Sequence, residues 1–494
     1  MKYVLGLDIS TTSAKALLVD SEGRVVAQHS TPQPISHPYP LWSEQNPEDW
    51  WDGIVTSIRA LLTEYDPEQI VGIGLTGQMH GLVCLDEQGE VLRPAILWND
   101  QRTQAECDWI TEQVGAQRLI ELTGNRALTG FTAPKIIWLR RHEPEVYAKI
   151  AHILLPKDYI RFKLTGEYDT DLAGAAGTLL LDVKKRQWSQ EVLSALDIPL
   201  TWMPKVHEGT EITGMVQEAA AAKTGLLAGT PIVGGAGDQA AGAVGVGAIE
   251  HGTISLVLGT SGVVFAPLKE YAFESEGRLH AFCHALPNTY HFMGVMLSAA
   301  GSLQWYHDAL APDTSFDSLL HEAVEISVGA DGLFFLPYLT GERTPHPDPL
   351  ARGAFIGLTA RHQRGHITRA VLEGIAFGLK DCFDLLTANM TEPIREVRVS
   401  GGGARSELWL QILANVLNMP LTPVQAIEGA AYGAALLAGI GVGLWPDHHT
   451  ITSFIAVEEP IRPDASSSKY QQLHHIYTEL YPTLKRTFAM LAHL

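Results

Sequence analysis

Residues 234–247 read GGAGDQAAGAVGVG, a run of glycine, alanine and valine broken by Asp238 and Gln239. Small side chains let backbone or a ligand approach closely, so a carboxylate in such a stretch meets little except what enters beside it. An Asp ahead of an Ala-rich run is also a good helix N-cap, and the two readings can hold together. Two other stretches suit anionic oxygens. LDISTTSAK (7–15) and LGTSG (258–262) each set a tight loop of small hydroxyl residues between two apolar strands. Such a loop gathers backbone N–H groups and hydroxyls into a small space. Each alone is an ordinary hairpin turn, but recurrence at the start of each half makes two facing loops a grip for one polyphosphate. SGGGARSE (400–407) follows an apolar strand and opens a helix, so a ligand could lie against that helix N-terminus. It lacks the GxGxxG spacing, and the chain has no Gly-Lys pair and hence no P-loop. His280, Cys283 and His284 (HAFCH) have no second ligand cluster near them in sequence, so packing or cleft lining is expected rather than metal binding.

The elements that must carry these residues can be read from pattern. YVLGLD, AKALLVD and RVVAQHS alternate as a meander, and TISLVLG with VVFAPL repeats its beginning. Further strands are expected at 71–78, 81–86, 331–337 and 396–402, and helices near 47–64, 101–114, 298–310, 365–388 and 405–418. The glycine-rich stretch 242–247 is read as a hinge between the halves. The longest apolar run, GAAYGAALLAGIGVGLW (429–445), is short for a membrane span and is expected as a buried helix and loop. Beyond RPDASSSK, a stripe from Tyr470 to Leu491, kinked near Pro482, needs a groove on the protein itself.

With 494 residues the chain exceeds one ordinary core, and its 46% hydrophobic composition is that of a globular protein. Acidic residues outnumber basic ones 55 to 35, a formal charge of −20 that argues against nucleic-acid or anionic-membrane partners. A phosphorylated ligand must then be held locally, by N–H groups and a cation. Four widely spaced cysteines make no disulfide framework, and no signal-length apolar run opens the chain, so the expected compartment is the cytoplasm.

With these pieces in order, the chain resembles the FGGY carbohydrate kinases. GFTAPKIIWLRRH (130–142) and GAFIGLTARHQRGHITRAVLE (353–373) are similar to the family's two signatures, and QMHG (78–81), LWND (97–100), LLPKDY (154–159) and GERTPH (341–346) to its shorter segments. The resemblance implies an α/β fold of two actin-like (ribonuclease H-like) ATPase domains around a cleft. The domains would span 1–246 and 247–494, with a last helix at about 468–493 packing back on the N-terminal domain. The implied activity is ATP-dependent phosphorylation of a sugar, with D-xylulose the expected acceptor. Another ketose, polyol or sugar acid is the near alternative, and an actin-like or chaperone-like ATPase the more distant one.

Residue roles follow from the resemblance. Asp238 would be the general base, an ordinary aspartate needing no unusual pKa. Gln78, Met79, His80, Trp98, Asp100 and Gln239 would form the sugar wall. Asp8, Thr12, Ser13, Thr260, Gly301, Gly402 and Gly403 would meet ATP, and Asp8 would hold Mg²⁺ through water. Read alone, Asp8 is equally a strand-end acid in a turn, and His80 a structural histidine. Two positions depart from the family pattern: Ser10 stands where glycine is usual in the first loop, and Gln239 where a sugar-contacting asparagine is common. The partners implied are sugar and ATP, with monomer and homodimer both open.

Overall fold

The computed structural model describes residues 1–425 and 429–492. Two sheets organise it. The first runs in the order Ile212–Met215, Pro231–Val233, Ile70–Gly77, Tyr3–Ile9, Ser13–Asp20, Val25–Pro32, and the short strand Ala236–Gly237 also joins Ile70–Gly77. The second runs His280–Cys283, Tyr290–Met296, Gly262–Leu268, Thr253–Leu258, Glu396–Ser400, Leu421–Pro423. In each, the leading strand is antiparallel to its hairpin partner and parallel to a later strand on its other side. Strands covered on both faces need continuous apolar runs, and Tyr3–Ile9 is buried throughout except at Asp8. The repeat of strand, hydroxyl loop and strand is therefore a repeat of architecture, with one loop at the same end of each sheet. The expected helices appear at Pro47–Leu61, Gln104–Val114, Ala300–Leu310, Arg364–Ala388 and Glu407–Leu417.

Three expectations about long-range packing are corrected. The last helix, Ser467–Leu491, does not return to the N-terminal domain. Arg369 donates to the Tyr470 hydroxyl at 2.7 Å, that hydroxyl donates to Glu373 at 2.8 Å, and Tyr481 donates to Asp348 at 2.7 Å. The buried Glu373 and the half-buried Asp348 need donors, and this helix supplies them. Residue 493 of the expected helix lies outside the described residues.

What does return is the apolar run, folded as helix Gly429–Gly441. A Cβ built on Gly6 would stand 2.0 Å from the Ala431 carbonyl oxygen, and one on Gly74 1.9 Å from that of Ala434. Glycine at these strand positions lets the helix lie directly on the first sheet. A segment of the second half thus completes the first core, and the division at 246/247 is not a division of cores. The hinge reading of 242–247 also changes. Residues up to Gly245 are helical, and a Cβ on Gly433 would stand 1.8 Å from the Ala241 carbonyl, so this stretch is packed against Gly429–Gly441. Only the turn beyond it, with Gly247 at φ 72° and Gly252 at φ 86°, uses left-handed torsions.

Candidate active site

Asp238 is the first residue of helix Asp238–Gly245, directly after the strand Ala236–Gly237. Gly237, not Asp238, is the N-cap, and no side chain caps this helix, so the carboxylate is left for other work while still favoured by the helix dipole. The strand leading to it is held from behind. Arg161, fully buried, donates to the carbonyls of Val233 at 2.8 Å and Gly234 at 2.5 Å and to the Thr213 hydroxyl at 2.6 Å. Within LLPKDY itself, Lys157 sits between Asp158 and Asp171, and Asp171 caps the next helix through the Gly174 N–H.

Burial pushes the Asp238 carboxyl up to about 7, and the neighbouring Asp8 carboxylate pushes in the same direction, while hydrogen bonds from Gln239 oppose both. This corrects the expectation of an ordinary aspartate. Asp8 is the next-to-last residue of the first strand, in register with Lys15 on one side and Thr76 on the other. The two carboxylates supply hard oxygen atoms, the donor type that a divalent cation such as Mg²⁺ takes.

Asp238 and Gln239 line a cavity together with Met79, His80 and Trp98. Met79 is 5% exposed and packs where Gly177 and Gly237 have no side chain, since a Cβ on either would come within 2.8 Å of its side chain. His80 stands at φ 70°, an uncommon conformation for a residue with a side chain. Its carbonyl is gripped by Lys135 Nζ at 2.8 Å and the Thr132 hydroxyl at 3.1 Å, and Lys135 also donates to Gly130 O at 2.7 Å. The lysine of GFTAPK is thus the clamp that fixes His80. Burial lowers the His80 imidazole to about 3, so it is neutral. Its Nδ1 lies 2.5 Å from the Gly177 carbonyl and must carry the proton, which leaves Nε2 as an acceptor.

Two residues expected in the wall are not in it. Asp100 is fully buried, accepting from Arg102 at 2.7 and 2.9 Å and from the Ser43 N–H at 2.7 Å, with Arg102 stacked 3.5 Å over Trp42. A carboxylate beside arginine follows the stronger charge-assisted bonds, and the sequence LWNDQR gave no sign of which way Asp100 would turn. Gln78, 2% exposed, donates to Gln45 at 3.0 Å and accepts weakly from Thr11, whose hydroxyl in turn accepts from Trp98 Nε1 at 2.9 Å. It links the first loop to the cavity wall without lining the cavity.

The first loop is closed by Ser10, whose hydroxyl bonds the Ser13 N–H and hydroxyl, each at 3.0 Å. Ser10 has no left-handed φ, so the departure from glycine costs no backbone strain and gives the loop a brace. Ser13 is engaged in that brace, whereas Thr12 is exposed. In the second loop Thr260 is exposed and Ser261 lines the cavity with Asp238. The Gly301 N–H donates to the Thr260 carbonyl at 3.1 Å, and a Cβ there would stand 2.9 Å from that oxygen, so Gly301 supports the loop rather than offering a free N–H. Gly402 opens on unoccupied space and, with Gly401 and Arg405, borders a cavity of about 920 Å³. Gly403 lies just behind, against Trp409.

Arg343, for which no site role was expected, lines the cavity, and His280, expected only as packing or cleft lining, stands in the cavity wall. Arg343 belongs to GERTPH and His280 to HAFCH, so the signal was a short motif whose side-chain direction sequence does not give. Among the described residues the His/carboxylate group with metal-ligand spacing is Glu250, His448 and His449, none of which lines the cavity.

Duplicated meanders that bring both loops to one carboxylate define a phosphotransferase of the actin-like class. Models of the N- and C-terminal domains of the FGGY family of carbohydrate kinases match residues 3–245 and 254–442, and the chain belongs to that family. It is 42% identical to the xylulose kinase of Escherichia coli K12 over 97% of this chain and 99% of that one. A solved structure described as a xyloylose kinase from Brucella ovis superposes with a TM-score of 0.93 at 41% identity, covering 98% and 100% of the two chains. A gluconokinase of Bacillus subtilis is 30% identical over 99% of this chain and 98% of its own. ATP is the phosphoryl donor of such kinases, with Mg²⁺ its usual cation. Among the described residues no helix is long and apolar enough to cross a membrane.

Proposed function

We propose that the chain is an ATP-dependent D-xylulose kinase, moving the γ-phosphoryl group of ATP to O5 of D-xylulose and releasing D-xylulose 5-phosphate. The observation that carries this reading is one carboxylate, Asp238, lining a cavity with Met79, His80 and Trp98 on one side and Ser261 of the second loop on the other. A sugar hydroxyl is a poor nucleophile at neutral pH, so a carboxylate within about 3 Å that takes its proton promotes attack. As the bond from O5 to phosphorus forms, the bond from phosphorus to the ADP oxygen breaks, and the proton rests on Asp238. The neutral His80 Nε2 accepts from a sugar hydroxyl and Trp98 covers an apolar edge. Thr12 and Thr260 donate to phosphate oxygens, and the space beside Gly402 takes the adenosine side. When bound, Mg²⁺ neutralises phosphate charge, and Asp8 would hold it through water.

The cytoplasm is the proposed compartment, supported by four buried cysteines that are all free thiols. A coupled ADP-release assay against pentuloses, polyols and aldonic acids tests the reading. D-Xylulose is expected to give the highest kcat/KM, with negligible turnover when sugar is omitted. Sugar-independent ATP hydrolysis, or a clear preference for another acceptor, would overturn it.

A further inference from the structure

The cavity lined by His80 and His280 is also lined by an arginine, Arg343. Arg343 is held by its backbone on both sides. The buried Glu342 carboxylate accepts the N–H groups of Arg343 at 2.7 Å and Leu297 at 3.0 Å, and Thr344 bonds the Val295 and Arg278 carbonyls at 3.0 and 2.9 Å. Among the described residues no carboxylate forms an ion pair with the Arg343 side chain, since Glu342 is spent on backbone N–H groups. The charge acting on Asp238 is that of Asp8, whereas Lys135 and then Arg343 act on His80, and Arg343 acts on His280. The lining of the one cavity therefore carries both an anionic group, Asp238, and a cationic one, Arg343.

The hydrogen-bonding groups around Arg343 can be accounted for in turn. His280 Nδ1 lies 2.7 Å from Asn125 Oδ1, and the Asn125 amide nitrogen donates to Thr123 and Ala281, so His280, like His80, carries its proton on Nδ1 and leaves Nε2 as an acceptor. The Trp98 N–H is given to Thr11. Arg343 is the charged donor left. This matters because furanose closure of a 2-ketopentose consumes O5. If O5 is the acceptor, as in the function proposed above on which this inference rests, the reacting form is the open chain and carries a free C2 carbonyl, which can only accept.

We propose that Arg343 donates to the C2 carbonyl oxygen of the open-chain ketose, and so selects a ketose over the polyol of the same length. A polyol presents a tetrahedral hydroxyl there, a weaker acceptor whose proton must also find a partner.

The test is kcat/KM for D-xylulose and for its C2-reduced polyol, D-arabinitol, with wild type, Arg343→Gln and Arg343→Lys. Arg343→Gln is expected to lower kcat/KM for D-xylulose about 10- to 100-fold, mainly through KM, with KM for ATP unchanged, a range set by the loss of a charged hydrogen bond. The ketose-to-polyol ratio should fall by about tenfold. Arg343→Lys, which keeps the charge but not the planar fork, should fall between the two. Melting curves for both variants, and D-xylulose binding followed by calorimetry, keep the comparison valid if one variant folds poorly. A wild type inert toward D-xylulose would refute the function itself. A wild type active on D-xylulose whose ketose-to-polyol ratio is unchanged in folded Arg343→Gln or Arg343→Lys would refute only this role, as would a loss confined to kcat, which would point to the phosphoryl group instead.

Discussion

The proton on Asp238 gives the sharpest prediction. A carboxyl raised to about 7 is half-ionised at neutral pH and only about one-tenth ionised a unit lower. The base is useful only when ionised, so kcat/KM for the sugar should rise about tenfold per pH unit below pH 7 and level off by about pH 8. Asp238→Asn keeps the shape and loses the proton acceptor. It should lower kcat about 10²- to 10⁴-fold, flatten that pH dependence and leave sugar binding within a few-fold. The same shift acts on stability with a definite sign. The folded carboxyl holds its proton to higher pH than the unfolded one, so its ionisation destabilises the fold progressively from about pH 4 to about pH 7, and the loss is complete above that. The shift from 3.8 to about 7 corresponds to at most about 4 kcal/mol, reduced by water reaching the cleft. Ligand-free Asp238→Asn should therefore melt higher than wild type at pH 8, by a margin that shrinks to about a quarter at pH 4.5. A coupled assay from pH 5.5 to 9 and melting curves at both pH values are sufficient. A near-normal kcat for the variant would remove Asp238 as the base. A pH-independent kcat/KM for wild type would show that burial and the Asp8 charge do not raise the Asp238 carboxyl.

His80→Ala should raise KM for the sugar at least tenfold and KM for ATP little, since Nε2 is free for a hydroxyl; equal losses for both substrates would make it a structural residue. Glu373→Gln should cost about 3–5 kcal/mol, because it leaves the buried Arg369 without its counter-charge, and Tyr470→Phe about 1–2 kcal/mol; both are read by thermal or urea melts with sugar kinetics unchanged in the folded fraction. Sugar and a non-hydrolysable ATP analogue should together compact the protein in small-angle scattering and protect residues 246–252 in hydrogen exchange, with 238–245 protected in every state. Fast exchange within 238–245 would refute the packed-helix assignment, and identical scattering in all states would refute closure.

How much of this was legible before folding depends on how local the controlling interaction is. The two meanders are set by alternation and turn chemistry within about twenty residues, so the strand Tyr3–Ile9, the strand Thr253–Leu258 and their hydroxyl loops could be read directly. Asp238 was conspicuous because its neighbours are small, and Met79 and His80 because QMHG resembles a known segment. What failed was side-chain direction and long-range docking. Asp100 and Gln78 sit in segments correctly assigned to the cavity's surroundings, but Arg102 and Gln45, neighbours in space, turn them away from it. Helix Ser467–Leu491 has an apolar stripe that any groove could cover, and Glu373, Arg369 and Asp348 choose the groove.

The same reasoning explains why the Gly429–Gly441 helix went unplaced. Its docking depends on glycines at positions 6 and 74, which in sequence read only as gaps in two apolar strands. An added methyl at either would meet a helix carbonyl within 2.0 Å, so these glycines specify a contact between chain segments more than 350 residues apart. That contact also bears on catalysis, because the helix that covers the first sheet packs on Asp238–Gly245 as well. A movement of the second half transmitted through Gly429–Gly441 therefore reaches the helix that begins with the base, whereas a hinge inside 242–247 would have detached one from the other.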